Sequence, residues 1–291
     1  MLEKTTYLFL YLFSRFLSLL PRLAILKLGK FFGYIIYLFF PLRKTVARIN
    51  LKIAFPYKNK KEINILIKKT YQHYGLLMFE FISKHNSKIN NNNFIISKET
   101  QEILNYSEGF ICMTGHLGNW EMILPIISFH KKFTVIVREQ KNLGGDKFFR
   151  ECRQYNNNIF IISKKGSKKE MLNNLNNGHV LGLASDQNAH DKGTQTLFFN
   201  KYASFPKGAG HFKYLTNRKL IIGFCILNKD FNYELKLKEI NIEKNFEQKA
   251  DLIVKVNKIY SQHLENEIIK FPEQYFWFHK KWDKNIYKYD L

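Results

Sequence analysis

Apolar and aromatic side chains dominate residues 7–42, where cations and prolines interrupt them. Residues 7–21 read YLFLYLFSRFLSLLP, and residues 31–42 read FFGYIIYLFFPL. No run reaches the roughly 18 uninterrupted apolar residues of a membrane-spanning helix. The pattern favours two helices that lie in a membrane interface, with their cations reaching lipid phosphates. Two alternatives stay open: a helical hairpin buried against the rest of the chain, and one tilted span that uses residues 31–42.

The remainder of the chain alternates between helical and strand-like patterns. From residue 62 to residue 81, apolar side chains recur every three and four positions, as in an amphipathic helix. Short apolar runs, which are typical of buried strands, follow at 110–113, 133–137, 159–162 and 180–184. Two further strands are predicted at 220–227 and 233–240, on either side of a turn at 228–230. Helices are predicted between and after these runs, at 120–130, 147–155, 167–176 and from about 246 to 269. The asparagine run at 90–93 predicts a loop.

This alternation of strands and helices predicts an α/β fold with a mixed, largely parallel sheet that is flanked by helices. We expect two parts. Residues 1–48 would form a helical, membrane-facing extension, and residues 49–291 would form one catalytic α/β domain.

The charge balance adds a constraint on partners. The chain has 46 Lys and Arg against 24 Asp and Glu, a net charge of +22, which indicates an anionic partner such as a membrane, a phosphorylated substrate or a nucleic acid. Its three cysteines, Cys112, Cys152 and Cys225, form no C-x-x-C pair. A disulfide framework and a structural zinc site are therefore not expected. We also expect no metal and no cofactor, because no HExxH, P-loop or G-x-G-x-x-G motif occurs.

One segment combines the residue types that acid–base chemistry needs. Residues 110–121 read FICMTGHLGNWE, so that His116 follows a predicted strand, at the edge where α/β sheets bind ligands. Glu121 would lie about 140° away from His116 on a regular helix, but the two can meet if His116 precedes the first turn. Glu121 would then hold one imidazole nitrogen and leave the other to accept a proton. Gly118 would allow a ligand close to the backbone. The alternative is a loop histidine beside an unrelated glutamate.

This segment also resembles a known motif. GHLGNWE resembles the H-x-x-x-x-D/E motif of the glycerolipid acyltransferase superfamily, and its form is similar to that of the lipid A biosynthesis (lauroyl/myristoyl-type) acyltransferases of Gram-negative bacteria. Residues 272–281, PEQYFWFHKK, resemble the C-terminal P-E-Q-Y-x-W-x-H-R-R of that family. Arg138, Arg153 and Asp186 match looser family positions. Asn200 and the pair Lys280-Lys281 depart from the family pattern, in which a glycine and two arginines are usual.

The resemblance implies transfer of a fatty acyl chain from acyl carrier protein to a hydroxyl of a phosphorylated lipid A precursor, at the cytoplasmic face of the bacterial inner membrane. His116 would deprotonate the hydroxyl, and Glu121 would stabilise the imidazolium. Backbone N–H groups beyond Gly118, or a cation, would hold the oxyanion. Arg138 and Arg153 are candidate binders of the acceptor's phosphates. Asp186 would orient an arginine or the sugar, or else cap the turn after its strand.

Three other functions stay open at this stage. An acyltransferase of the same mechanism would act on a different acceptor, such as a lysophospholipid or a mannosylated glycolipid. A non-catalytic membrane scaffold would keep the apolar N-terminus without turnover. A nucleic-acid-binding protein would explain the charge, but no recognition module is evident, so we expect the partners to be the carrier protein, the lipid precursor and an anionic membrane.

Overall fold

The computed structural model describes residues 2–83, 94–163, 167–242 and 248–288. The α-helices in these ranges are α1 Leu2–Ser18, α2 Arg22–Phe39, α3 Lys44–Ala54, α4 Lys60–Ser83, α5 Lys98–Leu104, α6 Ile123–Ser128, α7 Leu143–Arg153, α8 Ser167–Asn176, α9 Gly208–Thr216 and α10 Lys249–Lys270. The strands are β1 Phe94–Ile96, β2 Ile111–Thr114, β3 Phe133–Val137, β4 Ile159–Ser163, β5 Val180–Ala184, β6 Thr194–Phe198, β7 Lys201–Phe205, β8 Leu220–Leu227 and β9 Tyr233–Ile240.

Seven of these strands form one sheet, in the order β1-β9-β8-β2-β5-β3-β4. Strands β8, β2, β5, β3 and β4 run parallel, whereas β9 pairs antiparallel with β8 and parallel with β1. Strands β6 and β7 form a separate antiparallel hairpin. The prediction of a mixed, largely parallel sheet flanked by helices is confirmed.

The six predicted strands are observed within one residue of their predicted bounds, whereas β1, β6 and β7 were not predicted. Two helices also differ from the prediction. Residues 120–130 form a 3-10 turn at Trp120–Met122 and then the short helix α6, instead of one continuous helix. Helix α7 begins earlier than predicted, because the side chain of Asn142 accepts a hydrogen bond from the backbone N–H of Gly145 and so caps it. Positions 90–93 and 246 lie outside the described residues.

The core lies on both faces of the sheet. All eight residues of β8 are buried, as expected for a strand covered on both sides. The aromatic C-terminal segment contributes Trp277 and Trp282 to the larger core cluster, together with Phe198 and Phe205 of the β6–β7 hairpin. The hairpin and the C-terminal segment therefore close the domain against the sheet.

Helices α1 and α2 pack against α4 and α7 on their inner sides. Contact between α2 and α4 is close: a Cβ added at Gly33 would lie 2.2 Å from the carbonyl oxygen of Tyr71. Arg22 turns inward, and its Nε lies 2.6 Å from Oε1 of the buried Glu80. The outer sides carry large exposed apolar residues, including Phe31, Phe39 and Phe40.

Among the described residues, no single helix has the length and apolar character needed to cross a bilayer. Helices α2 and α3 meet that test only as a pair, and they are bent by 100° at the break between them. The membrane-facing role of the N-terminal helices therefore stays a prediction. The predicted division of the chain at residue 48, which falls inside α3, also stays a prediction.

Candidate active site

The carboxyl ends of β2 and β5 bring His116 and Asp186 together. These strands are neighbours, and Thr114 pairs with Ala184 at their last positions, so the residues that follow them share one edge of the sheet. The Nδ1 atom of His116 lies 2.8 Å from Oδ1 of Asp186. The backbone N–H of His116 donates to Oδ2 of the same carboxylate, also at 2.8 Å. Asp186 thus holds both the backbone and the ring of His116.

This pair is electrostatically coupled. Burial lowers the pKa of His116, but the charge and the hydrogen bond of Asp186, with the charge of Glu121, outweigh burial and raise it. Burial raises the pKa of Asp186, but the charge and hydrogen bonds of His116, with the charge of Lys281, outweigh burial and lower it to about 2. Asp186 is therefore ionised, Nδ1 of His116 donates to it, and Nε2 is left as the proton acceptor.

Glu121 contacts a different partner from the one predicted. Its two carboxylate oxygens accept hydrogen bonds from Nε and Nη2 of Arg153, at 2.8 Å and 2.6 Å. The prediction that Glu121 holds an imidazole nitrogen is wrong, because Asp186 occupies that position. Glu121 lies on the 3-10 turn at Trp120–Met122 and faces the last residue of α7. It acts on His116 through its charge alone.

The two candidate phosphate-binding arginines lie in different environments. Burial lowers the pKa of Arg153, but the charge and the hydrogen bonds of Glu121 outweigh burial and raise it, so Arg153 is committed to that ion pair. Arg138 is exposed directly after β3, which runs parallel to β5. Arg138 therefore lies at the same edge of the sheet as His116, with its guanidinium open to solvent.

Gly118 is a structural requirement of the loop. Its φ is +65°, and an added Cβ would lie 2.0 Å from the carbonyl oxygen of Cys225 in β8. The close backbone approach predicted at Gly118 is therefore made by the protein's own strand. Its backbone N–H donates to the carbonyl oxygen of Gln274 at 2.9 Å, and that of Asn119 donates to Cys225 at 2.7 Å.

The C-terminal segment forms the opposite wall of the site. The backbone N–H of Phe276 donates to the carbonyl oxygen of His116 at 2.9 Å. The hydroxyl of Tyr74 on α4 donates to the same oxygen at 3.0 Å. The rings of Trp120 and Phe276 lie 4.8 Å and 6.0 Å from the His116 ring, centre to centre. These contacts fix the His116 loop and leave an aromatic surface beside the imidazole.

Three polar residues near His116 were not singled out as site residues from the sequence. They are Gln187, whose Nε2 lies 3.3 Å from Nε2 of His116, Tyr275, whose pKa is raised by burial and by the charge of Asp186, and the buried Lys281, whose charge lowers the pKa of Asp186. The sequence shows the motifs that contain these three residues, but it does not show which segments contact one another. Among the described residues, no group of three or more His, Cys, Asp or Glu side chains could hold a metal ion.

Comparisons with known proteins place this geometry in a family. A search of curated proteins finds no match. Among solved structures, the chain is similar to the crystal structure of the 1-acyl-sn-glycerophosphate (LPA) acyltransferase PlsC from Thermotoga maritima. That similarity has a TM-score of 0.39 and 16% identity, and it covers 84% of this chain and 96% of that chain. The family model for bacterial lipid A biosynthesis acyltransferases matches residues 1–284, almost the whole chain, and the protein therefore belongs to that family of acyltransferases.

Proposed function

We propose that this protein transfers a fatty acyl chain from acyl carrier protein to a hydroxyl of a phosphorylated lipid A precursor, at the cytoplasmic face of the bacterial inner membrane. The observation that carries the proposal is the contact between His116 and Asp186 at the carboxyl edge of the sheet. A histidine that is oriented by a carboxylate at one ring nitrogen, and can accept a proton at the other, is suited to act as a general base.

In the proposed reaction, Nε2 of His116 takes the proton from the acceptor hydroxyl. The hydroxyl oxygen attacks the thioester carbonyl, so that no nucleophilic side chain of the protein is needed. Asp186 stabilises the imidazolium, because its carboxylate lies 2.8 Å from Nδ1. Glu121 adds negative charge nearby and orients Arg153, whose guanidinium it binds through two hydrogen bonds.

The charge distribution supports anionic substrates. The net charge of +22 favours both an acidic carrier protein and a phosphorylated lipid. Arg138 is the better candidate for the acceptor's phosphate, because it is exposed at the active edge whereas Arg153 is already paired with Glu121.

The outer faces of α1 and α2 support attachment to a membrane. Phe31, Phe39 and Phe40 are 61%, 70% and 65% exposed, and a cluster of exposed aromatic residues of this kind indicates a surface that is covered by lipid or by protein. A lipid acceptor would then be presented at the bilayer surface, close to the site.

The test is acyl transfer by purified protein in detergent. The mixture holds acyl carrier proteins charged with chains of several lengths, a tetra-acylated lipid A precursor carrying Kdo, and a lysophospholipid. We expect acylated precursor with wild type and a loss of about two to four orders of magnitude in rate for His116→Ala. His211→Ala, on α9, is the matched histidine control and should keep the rate. Product on the lysophospholipid alone would show that the acceptor is a lysophospholipid and not the lipid A precursor. An unchanged rate in His116→Ala would refute the mechanism.

A further inference from the structure

The proton-accepting nitrogen of His116 already has a neighbour. The side-chain nitrogen of Gln187 lies 3.3 Å from Nε2 of His116. Because Nδ1 donates to Asp186, Nε2 accepts, and the amide N–H of Gln187 is the donor. Gln187 itself is exposed, so its side chain can turn aside when an acceptor hydroxyl arrives.

Three backbone donors of the His116 loop are already engaged. The N–H of His116 donates to Asp186, that of Gly118 donates to Gln274, and that of Asn119 donates to Cys225. Arg153, which contacts Glu121 of this loop, gives both of its hydrogen bonds to that carboxylate. The expectation that backbone N–H groups beyond Gly118 hold the oxyanion therefore fails at Asn119, and the side-chain amide of Gln187 lies beside the base.

The loop that carries Gln187 is held in place by the C-terminal segment. The backbone N–H of Asn188 donates to Nε2 of His279 at 2.9 Å. The side-chain amide of Asn188 donates to the carbonyl oxygens of Lys280 and Trp282, each at 3.2 Å. Burial lowers the pKa of His279 to about 4, so that its ring is neutral and able to accept this hydrogen bond.

We propose that Gln187 is a catalytic residue whose side-chain amide donates a hydrogen bond to the oxyanion of the acyl-transfer intermediate, and that His279 is a positioning residue for the loop that carries it. This rests on the proposed role of His116 as base. A side-chain amide suits this role, because it is a neutral donor that leaves the base uncharged before the reaction.

The proposed step forms a carbon–oxygen bond and breaks a carbon–sulfur bond. The acceptor oxygen forms a bond to the thioester carbon while its proton passes to Nε2 of His116. The carbonyl π electrons move to the carbonyl oxygen, which becomes the oxyanion and accepts the hydrogen bond from Gln187. When the carbonyl re-forms, the carbon–sulfur bond breaks, and the thiolate of the donor takes the proton from the imidazolium.

The test compares Gln187→Leu, which keeps the side chain's size without a donor, with Trp120→Phe, which removes a competing indole N–H. We expect Gln187→Leu to lower kcat about 10²- to 10³-fold with little change in the KM for the thioester, and Trp120→Phe to have a much smaller effect on kcat. An unchanged or raised kcat in Gln187→Leu, or a loss that appears only in Trp120→Phe, would overturn the proposal.

The role of His279 is tested by coupling. In a His279→Ala background the loop is released, so Gln187→Leu should lower kcat by a smaller factor than it does in wild type. If His279→Ala causes only an unrelated structural defect, the two losses in kcat would be additive in free energy. His279→Asn retains an acceptor and should restore part of the coupling.

A binding measurement keeps the proposal independent of the acceptor. Dodecylphosphonate carries tetrahedral oxygens that resemble the oxyanion, and its binding can be measured by calorimetry. We expect Gln187→Leu to weaken this binding at least about tenfold, an amount equivalent to one charge-assisted hydrogen bond. Equal affinities would count against Gln187. Retained turnover in His116→Ala, by contrast, would refute the base assignment and leave the Gln187 comparison intact.

Discussion

Helices α1 and α2 place phenylalanines such as Phe39, which is 70% exposed, on their outer faces, whereas the edge of the sheet keeps the charged Asp186 only 3% exposed. Each arrangement is costly in water by itself: exposed aromatic surface lacks an apolar partner, and a buried carboxylate loses its hydration. For Asp186, two hydrogen bonds from His116 compensate for the lost hydration. The phenylalanines expose most of their surface, and we propose a bilayer as their partner.

The first prediction separates the two acidic residues of the site. Asp186→Asn should lower acyl transfer by about two to four orders of magnitude, because the imidazole loses its orienting charge. The loss of acyl-transfer rate in Glu121→Gln should be at least about tenfold smaller, because this change breaks the pair with Arg153 and leaves the His116–Asp186 contact in place. Equal losses, or a larger loss in Glu121→Gln, would show that Glu121 is the partner of the base.

The same pair of variants has a pH signature. The base is active when it is neutral, so the rate should rise with pH through the pKa of His116, which lies above its ordinary value of 6.5. Removing the charge of Asp186 lowers the pKa of His116, and the rise in rate should move to lower pH in Asp186→Asn. Rate measurements between pH 5 and 9, within the range in which histidines titrate, would detect this shift.

The second prediction concerns the N-terminal surface. Replacing Phe31, Phe39 and Phe40 together by serine should weaken binding to anionic vesicles about 100-fold, at about 1 kcal/mol for each ring removed from the interface. The matched control replaces Phe129, Val254 and Ile269, which are similarly exposed on other elements, by serine. If both triple variants bind vesicles equally, these helices are not the membrane-binding surface.

The third prediction compares two glycines with left-handed backbone. Gly118 and Gly178 have φ values of +65° and +82°, but an added Cβ meets Cys225 at Gly118 and nothing within 4 Å at Gly178. Replacing either glycine with alanine should lower the free energy of unfolding by about 1 kcal/mol, because alanine is strained in this backbone conformation. Gly118→Ala should cost about 1–3 kcal/mol more in the free energy of unfolding, measured in urea, because the loop and β8 are forced apart. Similar values for the two variants would mean that the His116 loop is not held against β8.

The sequence was sufficient for six of the seven strands of the sheet, because five of them are apolar runs and β9 alternates apolar and charged residues. The three-residue strand β1 was not predicted. Strands β3, β5, β8 and β9 have the predicted bounds, and the local motif located His116 at the end of β2. The partner of His116 was not predictable in the same way. Glu121 is close to His116 in the chain, whereas Asp186 becomes its neighbour only because β5 lies next to β2, an adjacency that no local pattern encodes.

Short elements were missed for a related reason. The strands of the β6–β7 hairpin have only five residues each, and β7 has two exposed positions followed by three buried ones instead of an alternation, so the signal is weak. The hydrogen bond between Asn188 and His279 joins positions 91 residues apart. His279 lies in the PEQYFWFHKK motif, but nothing in the sequence indicates that Asn188 is its partner.

The most direct test of the account is an NMR titration of the ring nitrogens of His116 in the folded protein, with histidine labelled with nitrogen-15. The account predicts a neutral form that is protonated at Nδ1, a pKa above 6.5, and a fall in that pKa in Asp186→Asn but a smaller one in Glu121→Gln. A neutral ring protonated at Nε2, or a pKa at or below 6.5 that is insensitive to Asp186, would contradict it.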